Sequence, residues 1–200
     1  CINGLEPYDA GSLQVDGTEV GKLTKKELRQ FRRNVGMVFQ NFSLLSRATV
    51  YDNIALAMRI WNCDAKQIDK RVKELLDVVE IPEKIHCKAR ELSGGQKQRI
   101  SISRAYIIEP KILVMDDSLS AVDTDTEERI LKNLKERRKG KTNIIVAHRL
   151  SALQHADKII VIDNGEIIEQ GNHRSLLQGK GLYYSLYKKQ QLEKMINEED

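Results

Sequence analysis

An unbroken apolar run, Ile112-Leu113-Val114-Met115, ends abruptly in two carboxylates, Asp116 and Asp117. A run of this kind fits a strand buried on both faces of a parallel sheet. Helices must cover such a sheet, so the chain is confined to an α/β architecture. In open α/β sheets, ligands bind at the C-terminal ends of the strands, where these carboxylates stand. Upstream, Leu92-Ser93-Gly94-Gly95-Gln96-Lys97-Gln98-Arg99 opens a helical run. Ser93 and Gln96 have the S-x-x-Q spacing of a capping box, which predicts a helix starting at Ser93. Gly94 and Gly95 leave the amides of that first turn open to close approach, and a bare helix start is an anion site. An anion-binding helix start followed by an acidic strand end points to a magnesium-bound nucleotide. A capped helix and a core strand explain each piece alone, but not the two together.

The rest of the chain reads consistently with one α/β domain. Ser12 to Val15 alternates and Asp16-Gly17 supplies a hairpin turn. Thr24 with Glu27 makes a capping box for a short helix ending near Arg33, and Val35 to Phe39 reads as a strand delivering Gln40 into a loop. Thr49 caps a helix through about Trp61, and Asp64 with Gln67 caps the next, whose Ile68, Val72, Leu75, Leu76 and Val79 share one face. Pro82 is expected to stop it. Asp123 or Thr124 caps a helix carrying Ile130, Leu131 and Leu134, and the basic run Lys135 to Lys141 reads as its solvated end. Asn143 to Ala147 reads as a second buried strand leading into His148. Asn164-Gly165 is a hairpin signal between Lys158–Asp163 and Glu166–Glu169, and Leu182 to Asp200 reads as a closing helix that frays. His86, His155 and His173 read as surface or structural.

Composition excludes several classes. Net charge is +4 over 200 residues with both signs mixed along the chain, so nucleic-acid binding is not indicated. Three scattered cysteines, Cys1, Cys63 and Cys87, have no metal spacing and fit a reducing compartment. No apolar run reaches transmembrane length and no signal peptide is present. Any membrane association must therefore come through a partner.

The order of these motifs resembles the ATP-binding cassette (ABC) family over nearly the whole chain. Leu92 to Gln96 is similar to its signature motif, Ile112 to Asp116 to its Walker B strand, Ser120 to Asp123 to its D-loop and Gln40 to its Q-loop. The resemblance implies an α/β, P-loop NTPase-like core with an inserted helical subdomain and a small antiparallel β portion. Residues 1–46 and 97–200 would form the core and 47–96 the helical subdomain of a single, partial domain. It implies ATP and Mg2+ as cofactors. Asp116 and Gln40 would hold the metal, with Asp117, His148 and Gln40 catalytic. Ser93, Gly94, Gly95, Gln96 and Asp123 would bind the nucleotide across a dimer of cassettes. It also implies a second ABC ATPase domain, identical or different, and the transmembrane domains of a transporter as partners. The place would be the cytoplasmic face of the cell membrane, as a peripheral subunit or fused to membrane domains. Chromosome-maintenance heads of this superfamily carry very long coiled-coil insertions, whereas Gln40 and Ser93 are joined by a short helical stretch.

Three features depart from the family pattern. The strand with an adenine-stacking aromatic and the P-loop are both missing, since Cys1-Ile2-Asn3-Gly4-Leu5 resembles the stretch just after the P-loop helix. Gly140-Lys141-Thr142 imitates a P-loop end, but position 135 holds lysine where G-x-x-x-x-G-K-[ST] needs glycine. Asp117 replaces the glutamate that most hydrolysing members carry as general base, and it resembles the degenerate site of heterodimeric exporters. Residues 1–98 resemble methionine and amino-acid importer ATPases and residues 99–200 exporters, which leaves the direction of transport open. Two functions follow as expectations. One is a domain coupling ATP binding and hydrolysis to solute transport. The other is a catalytically degenerate domain that completes or regulates a partner's ATP site. The 200-residue chain by itself is expected to be inactive.

Overall fold

Two compact units, Cys1–Val146 and Ala147–Asp200, divide the chain. The computed structural model describes residues 1–199. In the first unit a three-stranded parallel sheet, ordered β3-β4-β5, carries the site. It comprises β3 (Val35–Val38), β4 (Ile112–Asp116) and β5 (Thr142–Val146), preceded in the chain by a small hairpin of β1 (Gln14–Val15) and β2 (Thr18–Glu19). The hairpin turn is the expected one, with Asp16 at φ 50° and Gly17 at φ 73°, as a two-residue turn of this hand requires. Register pairs Val38 with Met115 and Asp116 with Val146, so all three strands end on the same side of the sheet.

The helices of this unit pack largely on one another. They are α1 (Lys25–Phe31), α2 (Val50–Ile60), α3 (Ala65–Val78), α4 (Gly94–Tyr106) and α5 (Thr124–Arg137). Of these, α4 lies against β3 and β4. Local chemistry sets each start: Thr24 and Glu27 form the capping box of α1, Thr49 accepts from the Asp52 amide, and Asp64 accepts from the Lys66 and Gln67 amides. One apolar core joins Val50, Ile54, Val72, Leu75 and Leu76 of the helices to Val38, Leu113 and Met115 of the sheet. Gly36 is where α4 crosses β3. A Cβ there would meet the Ala105 carbonyl oxygen at 2.6 Å and Pro110 Cγ at 2.7 Å.

Three expectations need correction. Helix α3 stops before Pro82 is reached. Glu80 at φ 57° turns the chain, its amide donating to Asp77 O (3.2 Å) and the Ile81 amide to Leu76 O (3.0 Å). That pair of bonds is a Schellman close, which needs no proline. Asn143 to Ala147 is not a buried strand. β5 spans Thr142–Val146 at the sheet edge, pairs among the described residues with β4 alone, and leaves Val146 52% exposed. The basic run 135–141 is not wholly solvated either, because Arg138 is only 1% exposed.

In the second unit, β6 (Ile159–Asp163) and β7 (Glu166–Gly171) form an antiparallel hairpin through Asn164-Gly165, both at positive φ. Helices α6 (His173–Gly179) and α7 (Leu182–Glu199) follow, around a small core of Leu150, Ile159, Leu176 and Tyr183. His173 is structural here: its Nδ1 lies 2.8 Å from the Tyr183 hydroxyl, which locks α6 to α7. The last residue of the expected closing helix, Asp200, lies outside the described residues.

Candidate functional site

The start of α4 is built as the sequence predicts. Ser93 is the N-cap; its Oγ accepts from the Gln96 amide at 3.3 Å, and Gln96 Oε1 accepts from the Ser93 amide at 3.0 Å. The first intrahelical bond runs from the Lys97 amide to Ser93 O. Gly94 and Gly95 precede these bonds, with Ser93 and Gly94 exposed. Positive electrostatic potential therefore gathers at an accessible helix end.

Loop 117–123 lies against this helix start. A Cβ on Gly95 would come within 2.7 Å of Ala121 O, so only glycine lets the loop backbone rest there. On Gly94 the same atom would make only an ordinary 3.5 Å contact with Ala121 Cβ. Leu119 and Val122 anchor the loop in the core at 5% and 3% exposure. The loop begins at Asp117, which turns out of β4 at φ 43°, a left-handed conformation that aspartate tolerates better than most residues. Its amide donates to Val146 O at 2.9 Å, tying the turn to β5.

Asp116 closes β4, half-buried, opposite Val146. Gln40 is exposed in the loop after β3, two residues beyond the Val38–Met115 pair, as Asp117 is on β4. Asp116 and Gln40 therefore leave the sheet at the same end. Their oxygen donors suit a hard cation such as Mg2+, which takes few protein ligands and completes its shell with water and phosphate oxygens. Among the described residues no group of three or more His, Cys, Asp or Glu could hold a metal without such help. His148 belongs to the second unit, where its carbonyl accepts from Gln190 Nε2 at 2.6 Å and Gln190 Oε1 accepts from the Leu150 amide at 2.9 Å.

Asp123 is the N-cap of α5 and accepts from the Thr126 amide at 2.9 Å. That hydrogen bond holds its carboxyl below the usual 3.8. A depressed carboxyl pKa contributes stability above the unfolded-state value and loses it as pH falls through the folded-state value. We expect the thermal unfolding temperature to drop on acidification below pH 4, with Asp123→Asn flattening that acid limb. Asparagine keeps the cap without the titration. Melting curves from pH 7 to pH 2.5 check this; superimposable acid limbs would remove Asp123 from the effect.

The sequence did not single out Gln98. It is only 3% exposed, and it bonds to Ser120 and to the Ala121 amide. Its one signal is an amide side chain at the point where α4 turns inward, ahead of buried Ile100 and Ile102.

A parallel α/β sheet with a glycine-bearing helix start packed on the loop that leaves an acidic strand end defines the class of the fold as an α/β cassette. The family model described as ABC transporter matches residues 1–120, and the chain belongs to this family. The methionine import ATP-binding protein MetN of Clostridium acetobutylicum is 44% identical over 179 residues, 88% of this chain and 56% of the relative. Its counterpart in Clostridioides difficile is 45% identical over 175 residues, 86% of this chain and 54% of the relative. The chain thus spans about half the length of these relatives. The likeness also runs well beyond what residues 1–98 could supply, into the half that resembles exporters. Among solved structures, a dimeric post-hydrolysis state of an ATP-binding cassette bound to ADP and Pi superposes with a TM-score of 0.80 at 30% identity, over 86% of this chain and 77% of that one. A bacterial Atm1-family ABC exporter with ATP bound gives 0.79 at 31% identity, over 94% of this chain and 34% of that one. The fold is that of the ABC ATPase cassette.

Proposed function

We propose that this chain is the ATP-binding part of an ABC importer, with methionine or a related amino acid as the transported solute. It would couple ATP binding and hydrolysis to transport at the cytoplasmic face of the membrane. One observation carries the reading: the exposed, glycine-bearing start of α4 is packed on the loop that leaves Asp116 and Asp117. The likeness to methionine import ATP-binding proteins over 88% of the chain favours import. Ser93, Gly94, Gly95 and Gln96 face a γ-phosphate held by the P-loop of a second cassette, with Asp123 alongside. Bound Mg2+ would supply charge neutralisation for the phosphates. Asp116 and Gln40 would hold it, Asp117 would take the proton of the attacking water, and His148 would contact the γ-phosphate.

The transmembrane partner has a candidate seat in the same unit. A cavity of about 540 Å³ opens between the helical stretch and the end of α4, lined by Arg33, Met58, Trp61, Cys63, Arg71 and Ile108 among others. Trp61 is flanked by guanidiniums, Arg33 at 5.2 Å and Arg29 at 5.9 Å from the ring centre. The lining mixes apolar side chains (Met58, Trp61, Ile107, Ile108) with charged ones of both signs (Arg33, Lys70, Arg71, Glu74, Glu109), which suits a short amphipathic helix of a membrane domain. No helix among the described residues is long and apolar enough to cross a membrane.

The test is sedimentation of this chain with a P-loop-bearing, hydrolysis-deficient cassette, with and without ATP and Mg2+. ATP should promote association, and Gly94→Asp should weaken it at least tenfold. The new carboxylate would take the helix-start interaction from the phosphate, worth roughly 0.3–2 kcal/mol, and would add like-charge repulsion in the same direction. The steric contact at Gly94 is ordinary and an acidic residue suits a helix first turn, so the variant should fold as well as its parent. Equal association with and without ATP would sink the proposal.

A further inference from the structure

Gln98 makes a two-sided connection across the site. Its Oε1 accepts from the Ala121 amide at 2.9 Å, and its Nε2 donates to Ser120 Oγ at 3.1 Å. Ser120 Oγ in turn donates to the carbonyl of Asp117 at 3.1 Å. The direction of each bond is fixed from one end. The Ala121 amide can only donate, so the carboxamide oxygen faces it; the carboxamide nitrogen must then face Ser120, whose proton goes to Asp117 O. Side-chain amides are among the few groups that offer a donor and an acceptor at one tip. The chain of bonds runs from inside α4 to the residue that leaves β4. Its second support is the Gly95 contact with Ala121 O, which presses the same loop on the first turn of the same helix.

We infer that Gln98 is a positioning residue: it fixes loop 117–123 on the signature helix, so that the helix start and the carboxylates of Asp117 and Asp123 are presented to a nucleotide as one unit. Gln98 itself points into the loop, not to the exposed helix start. The functional half of this inference rests on the proposed ATP site, while the structural half stands on the chain alone. A loop held in this way would already be ordered when a nucleotide arrives, which lowers the cost of binding.

The experiment is residue-resolved amide hydrogen exchange on the full 200-residue chain, on Gln98→Met and on Ser120→Ala. Methionine has similar length and no strong hydrogen-bonding group. The Ala121 amide should exchange at least tenfold faster in Gln98→Met, with the amides of Ile100 to Ser103 unchanged. Ser120→Ala keeps the bond to Ala121 but loses the tether to Asp117, so a smaller acceleration at Ala121 is expected. It also serves where the methionine variant folds poorly. In the sedimentation assay Gln98→Met should weaken ATP-dependent association at least tenfold. Unchanged exchange at Ala121 in both variants overturns the positioning role. Faster exchange spread equally through α4 and α5 overturns it too, since that marks general support of the fold. If the parent chain shows no ATP-dependent association, the proposed function falls, and the exchange pattern still decides whether Gln98 positions the loop.

Discussion

Replacing Arg138 by alanine is expected to lower the free energy of unfolding by about 3 kcal/mol, among the largest losses available to a single substitution in this chain. Its guanidinium donates to Pro110 O at 2.9 Å, Thr142 O at 3.0 Å, Lys111 O at 3.4 Å and the Asn143 side-chain oxygen. It also lies 5.4 Å from the centre of the Tyr106 ring. Buried Pro110 would lose the Arg138 donor to its carbonyl, and the ties from Arg138 to Thr142 and Asn143 would go with it, while Lys111 O keeps the Thr142 amide at 3.1 Å. Lysine should not restore stability, because one ammonium cannot serve a planar spread of acceptors. Urea unfolding followed by circular dichroism measures the loss. An Arg138→Lys midpoint equal to that of the parent would show that charge alone is enough.

Asp117→Glu, in a chain extended ahead of Cys1 by a P-loop segment, is expected to raise steady-state ATP turnover. The longer side chain carries the carboxylate about 1 Å further toward the attacking water, and misplacement on that scale can cost about a hundredfold in rate. The same change should reduce stability by about 1 kcal/mol. Asp117 sits at φ 43°, where a longer side chain gives up the local tolerance that aspartate has. A phosphate-release assay beside a thermal melt separates the two effects. Turnover that stays level or falls would mean that the Asp117 carboxylate already reaches the water.

What could be read from the sequence was local. The capping boxes at Thr24–Glu27 and Ser93–Gln96 join residues three apart, so their spacing alone announces them. The turns at Asp16-Gly17 and Asn164-Gly165 are equally short-range, and the apolar run of β4 carries its own burial. What was missed depends on distant partners. Gln98 and Gln96 look alike in sequence, yet Gln96 caps its own helix while Gln98 bonds 22 and 23 residues away. Arg138 sits in a basic run that resembles any exposed helix end, until strands from elsewhere bring their carbonyls to it. The exposure of β5 is a property of the sheet order, which no segment states by itself. The α3 end was misread because Pro82 is a conspicuous stop signal and a glutamate in left-handed conformation is not.

Trp61 is the single tryptophan of the chain, and it stands in the cavity proposed to receive a membrane partner. Indole emission moves to shorter wavelength when water leaves its surroundings. The chain therefore carries its own optical reporter at that seat. A helix entering between Trp61 and Ile108 would displace water from the ring and alter its pairing with Arg29 and Arg33. Tryptophan fluorescence would follow docking without a label, with no second indole to obscure the signal.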